Sequence, residues 1–282
     1  MMRQLVSAAC GLWMAAAATA QAENVVIVEL YTSQGCSSCP PADDFVAELA
    51  AQPDVLPLSL HVDYWDYIGW EDKFAQPRFT DRQKAYARAV GSRTIYTPQF
   101  IVGGLDRVEG YDPDETVERL GRHRALVSPV TLHVERQGER LVIRAEASPA
   151  LTTPVRVQLV RYMPEETVTI ERGENAGRTI TYRNVVTSWE LLGEWAGTGP
   201  LDVMADAPGS EPAVVILQSE GPSLILAAAR PDPAQKSETD TTTKAIVSAK
   251  DAPPSMEAGF AGGADSAPEA DLSTSGGAAP SE

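Results

Sequence analysis

Cys36 and Cys39, two residues apart in the stretch Gly35-Cys36-Ser37-Ser38-Cys39-Pro40, are the side chains of this sequence best suited to chemistry. A thiolate is the nucleophile in disulfide exchange, so a working cysteine needs surroundings that favour its charge. A turn from a strand into a helix supplies them, because unpaired N–H groups and the helix dipole favour negative charge at the helix N-terminus. With this spacing, Cys39 can attack a mixed disulfide formed on Cys36 and release the partner. The pattern predicts an exposed, acidic thiol at Cys36 and a shielded, resolving one at Cys39. C-x-x-C is also half of many zinc sites, but the sequence holds no second C-x-x-C and no H-x-x-H, which argues against structural zinc.

The compartment follows from the N-terminus. Arg3 precedes a short apolar run from Leu5 to Ala18, and small residues offer A-x-A cleavage sites ending at Ala20 or Ala22. That is the pattern of a secretory signal peptide over residues 1–22. The run is shorter than the ~18 residues a spanning helix needs, so no membrane anchor is expected after cleavage. Removal of the signal takes Cys10 with it and leaves Cys36 and Cys39 as the cysteines of a periplasmic or secreted protein. Paired cysteines in an oxidising compartment usually staple a small fold, but a pair this close closes too small a loop to staple much. A net charge of −16 over 282 residues repels nucleic acid and anionic membrane surfaces alike, and removes both as partners.

The elements that must position the cysteines are legible in outline. Val25 to Tyr31 is a nearly continuous apolar run, the mark of a strand buried on both faces. Pro40 and Pro41 suit a first helical turn, and Phe45, Val46 and Leu49 continue at helical spacing. Leu56, Leu58, Leu60 and Val62 alternate as a second strand, followed by an aromatic connection through Trp65, Trp70 and Phe74. Thr80 with Gln83 predicts a helix by capping-box logic. Gln99–Val102 and Leu105–Glu109 read as a hairpin, and Asp112-Pro113 opens a further helix. The result is a small α/β domain over residues 23–127. From residue 128 to 230, short alternating runs with turn residues between them predict a separate all-β sandwich. Residues 231–282 are rich in Ala, Pro, Gly, Ser and acidic residues, and read as a disordered tail.

The stretch VVIVELYTSQGCSSCPPAD resembles the strand–CxxC–helix opening of the thioredoxin superfamily. With HVDYWDYIGWEDKF, TIYTPQFIVGG and RGENAGRTITYRNVV, it is similar to a family of secreted bacterial thioredoxin-like proteins catalogued as a domain of unknown function. The resemblance implies a thioredoxin-like fold for the first domain, with Cys36 attacking and Cys39 resolving. It implies that Pro98 is a cis-proline facing the sulfurs, with Thr97 before it offering backbone polar groups to a substrate. It also implies a catalytic part for Glu29, as proton acceptor and donor for Cys39. The match is imperfect, since the residue is Glu and stands one residue further from the first cysteine than the aspartate of thioredoxins. The function expected is that of an exported thiol–disulfide oxidoreductase acting on protein or small-molecule thiols and disulfides, with no cofactor or metal. A rival is a thioredoxin-like copper-binding chaperone, since soft thiolates select Cu(I); it would use Cys36, Cys39 and a histidine, His61 or His123. Lesser candidates are a proton relay through His61 and Asp63, and a docking loop carrying Arg172, Glu174, Asn175 and Arg178.

Overall fold

Val26–Thr32 (β1) alternates its side chains between two apolar layers, as strand geometry requires. Val28 and Leu30 pack with Ala42, Phe45, Val46 and Leu49 of the helix Pro40–Ala50 (α1). Ile27 and Tyr31 point the other way, into a cluster with Phe79 and Tyr86 of the helix Pro77–Ala89 (α2). The strand Val55–His61 (β2) lies parallel to β1 and is buried along its length. The computed structural model describes residues 25–232. The expected signal peptide with Cys10, and all of the expected tail beyond Asp232, lie outside the described residues.

A 3-10 turn, Asp66–Ile68, interrupts the connection between β2 and α2. α2 begins at Pro77 rather than at Thr80; the Thr80 hydroxyl is spent on the Asp63 carboxylate instead of a cap. The hairpin strands are Gln99–Val102 (β3) and Asp106–Glu109 (β4), with β3 antiparallel to β1. Asp112 caps the helix Pro113–Arg124 (α3) by accepting the Glu115 N–H at 2.9 Å. Seven strands follow: Val130–Gln137 (β5), Arg140–Ala147 (β6), Val155–Thr169 (β7), Thr179–Trp195 (β8), Leu201–Asp206 (β9), Ala213–Ser219 (β10) and Ile225–Ala229 (β11).

Their arrangement corrects the expected fold class. The protein is not an α/β thioredoxin-like domain followed by a separate β-sandwich. It is mostly β, with three α-helices among the described residues and one large mixed sheet of eight strands in the order β11-β10-β7-β8-β2-β1-β3-β4. Four of the later strands continue the sheet that β1 and β2 begin. The seam is the parallel contact of β2 with β8 at Ser59 and Val185. It is reinforced by the Ser59 hydroxyl donating to the Arg183 carbonyl and the Asn184 amide donating to the Pro57 carbonyl, each at 2.9 Å. The remaining strands form a second sheet, β5-β6-β9, packed through Leu132, Leu141 and Ile143 on Val157, Leu159, Val215 and Leu217 of the large one. Alternation within each strand is local and was readable. The neighbour of β2 was not, because it lies more than a hundred residues away in the chain.

The seam has a testable consequence. A chain ending at residue 127 would strip β8 from the edge of β2 and remove Val160, Tyr162, Val186, Val214 and Ile216 from the α2-side cluster. That fragment should not fold, and its amide NMR spectrum should show the narrow dispersion of an unfolded chain. A well-dispersed spectrum would mean that the first half carries its own core.

Candidate active site

The turn between β1 and α1 holds the two cysteines. Cys36 and Cys39 are joined in a disulfide, with Cα atoms 5.4 Å apart. Cys39 is the N-cap residue of α1, and its carbonyl accepts the N–H groups of Ala42 (2.8 Å) and Asp43 (3.1 Å). Because Pro40 and Pro41 have no N–H, the start of this helix offers fewer free donors to a thiolate than a strand-to-helix turn ordinarily would. The Ser38 hydroxyl takes up part of that role, 3.4 Å from the Cys36 sulfur. In this oxidised state Cys36 is 1% exposed and Cys39 0%, so neither sulfur is open while the disulfide is closed. Cover comes from the aromatic connection: a Cβ on Gly35 would stand 3.1 Å from the Trp65 Cβ and 3.2 Å from Ile68 Cδ1.

Behind the disulfide lies a buried polar cluster that the sequence reading missed. Thr32, Asp43, His61 and Asp72 are all shut off from solvent, and Tyr182 joins them from β8. Thr32 donates to Asp43 Oδ1 at 2.8 Å. His61 Nδ1 lies 2.7 Å from Asp72 Oδ2, which also accepts the Gln34 N–H at 2.8 Å, while Asp72 Oδ1 accepts from the Phe74 N–H. The His61 ring meets Tyr182 and Phe74 edge-on, with centroids 4.9 and 5.1 Å away. Among the described residues, Asp43 Oδ2, His61 Nε2 and the Tyr182 hydroxyl have no hydrogen-bond partner.

The charges in this cluster are set by burial against mutual attraction. Burial raises the Asp43 carboxyl to about 7, against the opposing pull of His61 and the Thr32 hydrogen bond. Burial would lower His61, but the Asp72 and Asp43 carboxylates outweigh it and hold the imidazole above its usual range. For Asp72 burial is outweighed too, by His61 and by the Gln34 and Phe74 N–H groups, and its carboxyl falls below the usual range. Burial, with Asp43 and Asp72 nearby, drives the Tyr182 hydroxyl up. His61 and Asp72 thus favour each other's charged forms, while Asp43, raised to about 7, is the carboxyl placed to gain or lose a proton near neutrality. Asp43 is four residues after Cys39, one turn along α1 and on the same helical face. That spacing was the signal available in the sequence.

Glu29 lies elsewhere. It shares odd parity along β1 with Ile27 and Tyr31, so it faces α2, whereas α1 covers the even face. Its carboxylate accepts from Arg82 Nε (2.8 Å) and Nη2 (2.7 Å), Tyr31 (2.9 Å) and Tyr86 (2.6 Å). The one-residue offset noted in the sequence is enough to put it on the wrong face of the sheet for Cys39. Glu29 anchors α2 to the sheet and does not serve the cysteines.

Thr97 and Pro98 are brought to the site. Their peptide bond is cis, the Thr97 carbonyl is 3.4 Å from the Ser38 hydroxyl, and Thr97 Oγ1 accepts from Trp65 Nε1 at 2.6 Å. Asn175 comes from the loop between β7 and β8. It is 1% exposed, and its amide donates to the carbonyls of Gln34 (2.9 Å) and Cys36 (2.8 Å). His61 and Asp63 part company: Asp63 accepts from Thr80. His123 lies apart, 3.1 Å from Asp106 and tight against Gly103. Among the described residues, no group of three His, Cys, Asp or Glu side chains is placed to hold a metal ion.

Fold and site together define a mostly β protein with a C-x-x-C disulfide buried at the mouth of a helix on its large mixed sheet. The chain belongs to the family described as a protein of unknown function, DUF1223, whose model matches residues 27–218. It is similar to a protein of Agrobacterium tumefaciens solved by X-ray crystallography as a structural-genomics target. That protein is 32% identical, with a TM-score of 0.64 over 76% of this chain and 98% of the other. HBP35 of Porphyromonas gingivalis aligns with a TM-score of 0.58 over 76% of this chain and 77% of that one; at 12% identity, this likeness is one of fold alone. No curated protein matches the chain.

Asp43 leaves a signature in stability. Its proton is held more tightly in the folded chain than in the unfolded one, so its contribution is full below the ordinary aspartate value of 3.8 and is lost as pH rises through about 7. The loss amounts to roughly 4 kcal/mol at most. Urea unfolding of the oxidised protein should show stability falling over that window, and Asp43→Asn should flatten the fall. Equal slopes in the two proteins would remove Asp43 as its source.

Proposed function

We propose that this protein is an exported thiol–disulfide oxidoreductase that exchanges electrons with protein or small-molecule thiols through Cys36 and Cys39. The observation that carries the reading is a disulfide closed across the mouth of α1 with an ionisable carboxyl, Asp43, buried one turn behind it. A disulfide spanning so short a loop constrains the unfolded chain little, so it is poorly explained as a staple. A buried carboxyl poised near neutrality is poorly explained by packing and well suited to proton transfer. The strand, C-x-x-C turn, helix and adjoining Thr97–Pro98 resemble the sites of thioredoxin-type oxidoreductases, and this supports the chemistry. The signal-peptide pattern read in residues 1–22 of the sequence supports a periplasmic or secreted location, where disulfide-bearing partners are found.

The exchange is reversible, and it balances as follows. A thiolate of a partner dithiol attacks the Cys36 sulfur, the Cys36–Cys39 bond breaks, and its electron pair leaves on Cys39, which takes a proton from Asp43. The partner's second thiol, losing its proton, attacks the mixed disulfide and releases Cys36. The partner ends as a disulfide and this protein as a dithiol. In the opposite direction, Asp43 accepts the Cys39 proton as Cys39 resolves the mixed disulfide. Thr97, beside the sulfurs, offers its backbone to the incoming chain.

Turnover of insulin disulfides with dithiothreitol tests this. The wild type should exceed the uncatalysed rate, Cys36→Ser should fall to it, and Cys39→Ser should accumulate mixed disulfides with insulin chains. Asp43→Asn should slow resolution roughly tenfold or more at neutral pH, and should abolish the rise in rate through about pH 7 that Asp43 titration gives the wild type. A wild type no faster than background, together with tight Cu(I) binding by the reduced protein, would overturn the reading in favour of a metal carrier.

A further inference from the structure

The hairpin that delivers Asn175 is built as an arm. β7 and β8 pair with each other from Val155 and Trp195 out to Thr169 and Thr179. The inner part of β7, Val155 to Arg161, is also held by β10, and β8 meets β2 at Val185. Beyond those contacts, among the described residues, no third strand pairs with Glu165–Thr169 or 179–183; side chains tie them in at Ser59 with the Arg183 carbonyl and Lys73 with Glu166. A two-stranded ribbon is marginally stable alone, so this one depends on what it leans against. Val168, Ile170, Ile180 and Tyr182 lean on Trp70 and Phe74 of the aromatic connection. Its tip then reaches the cysteine turn: Asn175 bonds to Gln34 and Cys36, and a Cβ on Gly173, whose φ is +79°, would stand 3.3 Å from that of Trp70.

This arrangement meets a difficulty in the oxidoreductase reading, on which the inference rests. Disulfide exchange needs a partner sulfur in line with the Cys36–Cys39 bond, yet Cys36 is 1% exposed. Something must move, and the outer part of the arm is held by no third strand. We propose that the tip of the β7–β8 arm is a gate over the redox pair, with Asn175 as its latch. A partner reaches the Cys36 sulfur once the two amide hydrogen bonds to the turn have opened. Asn175 is a positioning residue: it touches the backbone of the turn and not the reacting atoms. The gate also favours extended or small thiols over rigid protein surfaces, because what enters must fit between the tip and the Thr97–Pro98 segment.

The test uses the protein's own disulfide. A dithiothreitol thiolate attacks the Cys36 sulfur, the electron pair leaves on Cys39, and the second thiol of the reagent closes its ring disulfide; the two reagent protons end on the cysteines. The rate is read by alkylating quenched samples and counting modified cysteines by mass. Asn175→Ala should raise the reduction rate roughly tenfold, the factor expected for losing two ordinary hydrogen bonds. Gly173→Ala, which strains the tip but keeps both amide donors, should raise it in the same direction, and decides the matter if Asn175→Ala does not fold. Leu141→Ala, a core truncation in the distant β5-β6-β9 sheet, destabilises the whole protein and should leave the rate unchanged. An unchanged rate in the tip variants, or an equal rise in Leu141→Ala, overturns the gate. The readout involves no insulin turnover, so a failed gate and a failed oxidoreductase reading give different results.

Discussion

The contact of β2 with β8 is the constraint from which the rest of this architecture follows. β2 is buried on both faces and has β1 on one edge, so its other edge must be paired or left as an unsatisfied ladder inside the protein. β8 fills it near Val185, and the Ser59 and Asn184 side chains bond across the seam. Once β8 is there, its antiparallel partner β7 and then β10 and β11 extend the same sheet. The second sheet has one face to cover, and it covers the distal end. The outer halves of β7 and β8 have no further strand to join, so they run on over the α1 face towards the cysteines.

That placement is what makes the polar cluster possible. Two carboxylates and an imidazole removed from water are costly unless each finds compensation. Asp72 finds it in His61 and in two backbone N–H groups. Asp43 finds one hydroxyl, from Thr32, which leaves its charged form under-supported and its proton exchangeable near neutrality. Tyr182, brought by β8, and the rings of Phe74 and Trp70 close the cluster from above. The difference between the two aspartates is therefore one of neighbours rather than of depth. It separates a carboxylate held by an imidazole and two N–H groups from a carboxyl whose pKa burial raises to about 7.

On the opposite face, Glu29 shows the same physics with the other outcome. Four donors from Arg82, Tyr31 and Tyr86 meet its two oxygens. Arg82 also stacks on Trp189 at 3.7 Å, so the pair ties α2 to β1 and to β8 together. A buried ion pair of this kind adds little net stability, because desolvation offsets much of the attraction.

What the sequence by itself determined was whatever depends on near neighbours in the chain. The buried strand before Cys36, the helix after Pro40, the Asp112 cap and the hairpin at Gly103–Gly104 all follow from patterning, proline and capping within a dozen residues. The redox candidates Cys36 and Cys39, and Thr97–Pro98 beside them, were legible for the same reason or through resemblance. Asp43 was within reach, four residues from Cys39, but Glu29 drew attention because an acid in an apolar strand stands out and strand parity was not followed through. Only the tertiary structure decided that the later strands continue the first sheet, that His61 pairs with Asp72, and that Asn175 closes on Cys36. Each of those joins residues by a contact whose geometry depends on every intervening turn and register, and a one-residue slip in any strand would have turned the side chain to the other face.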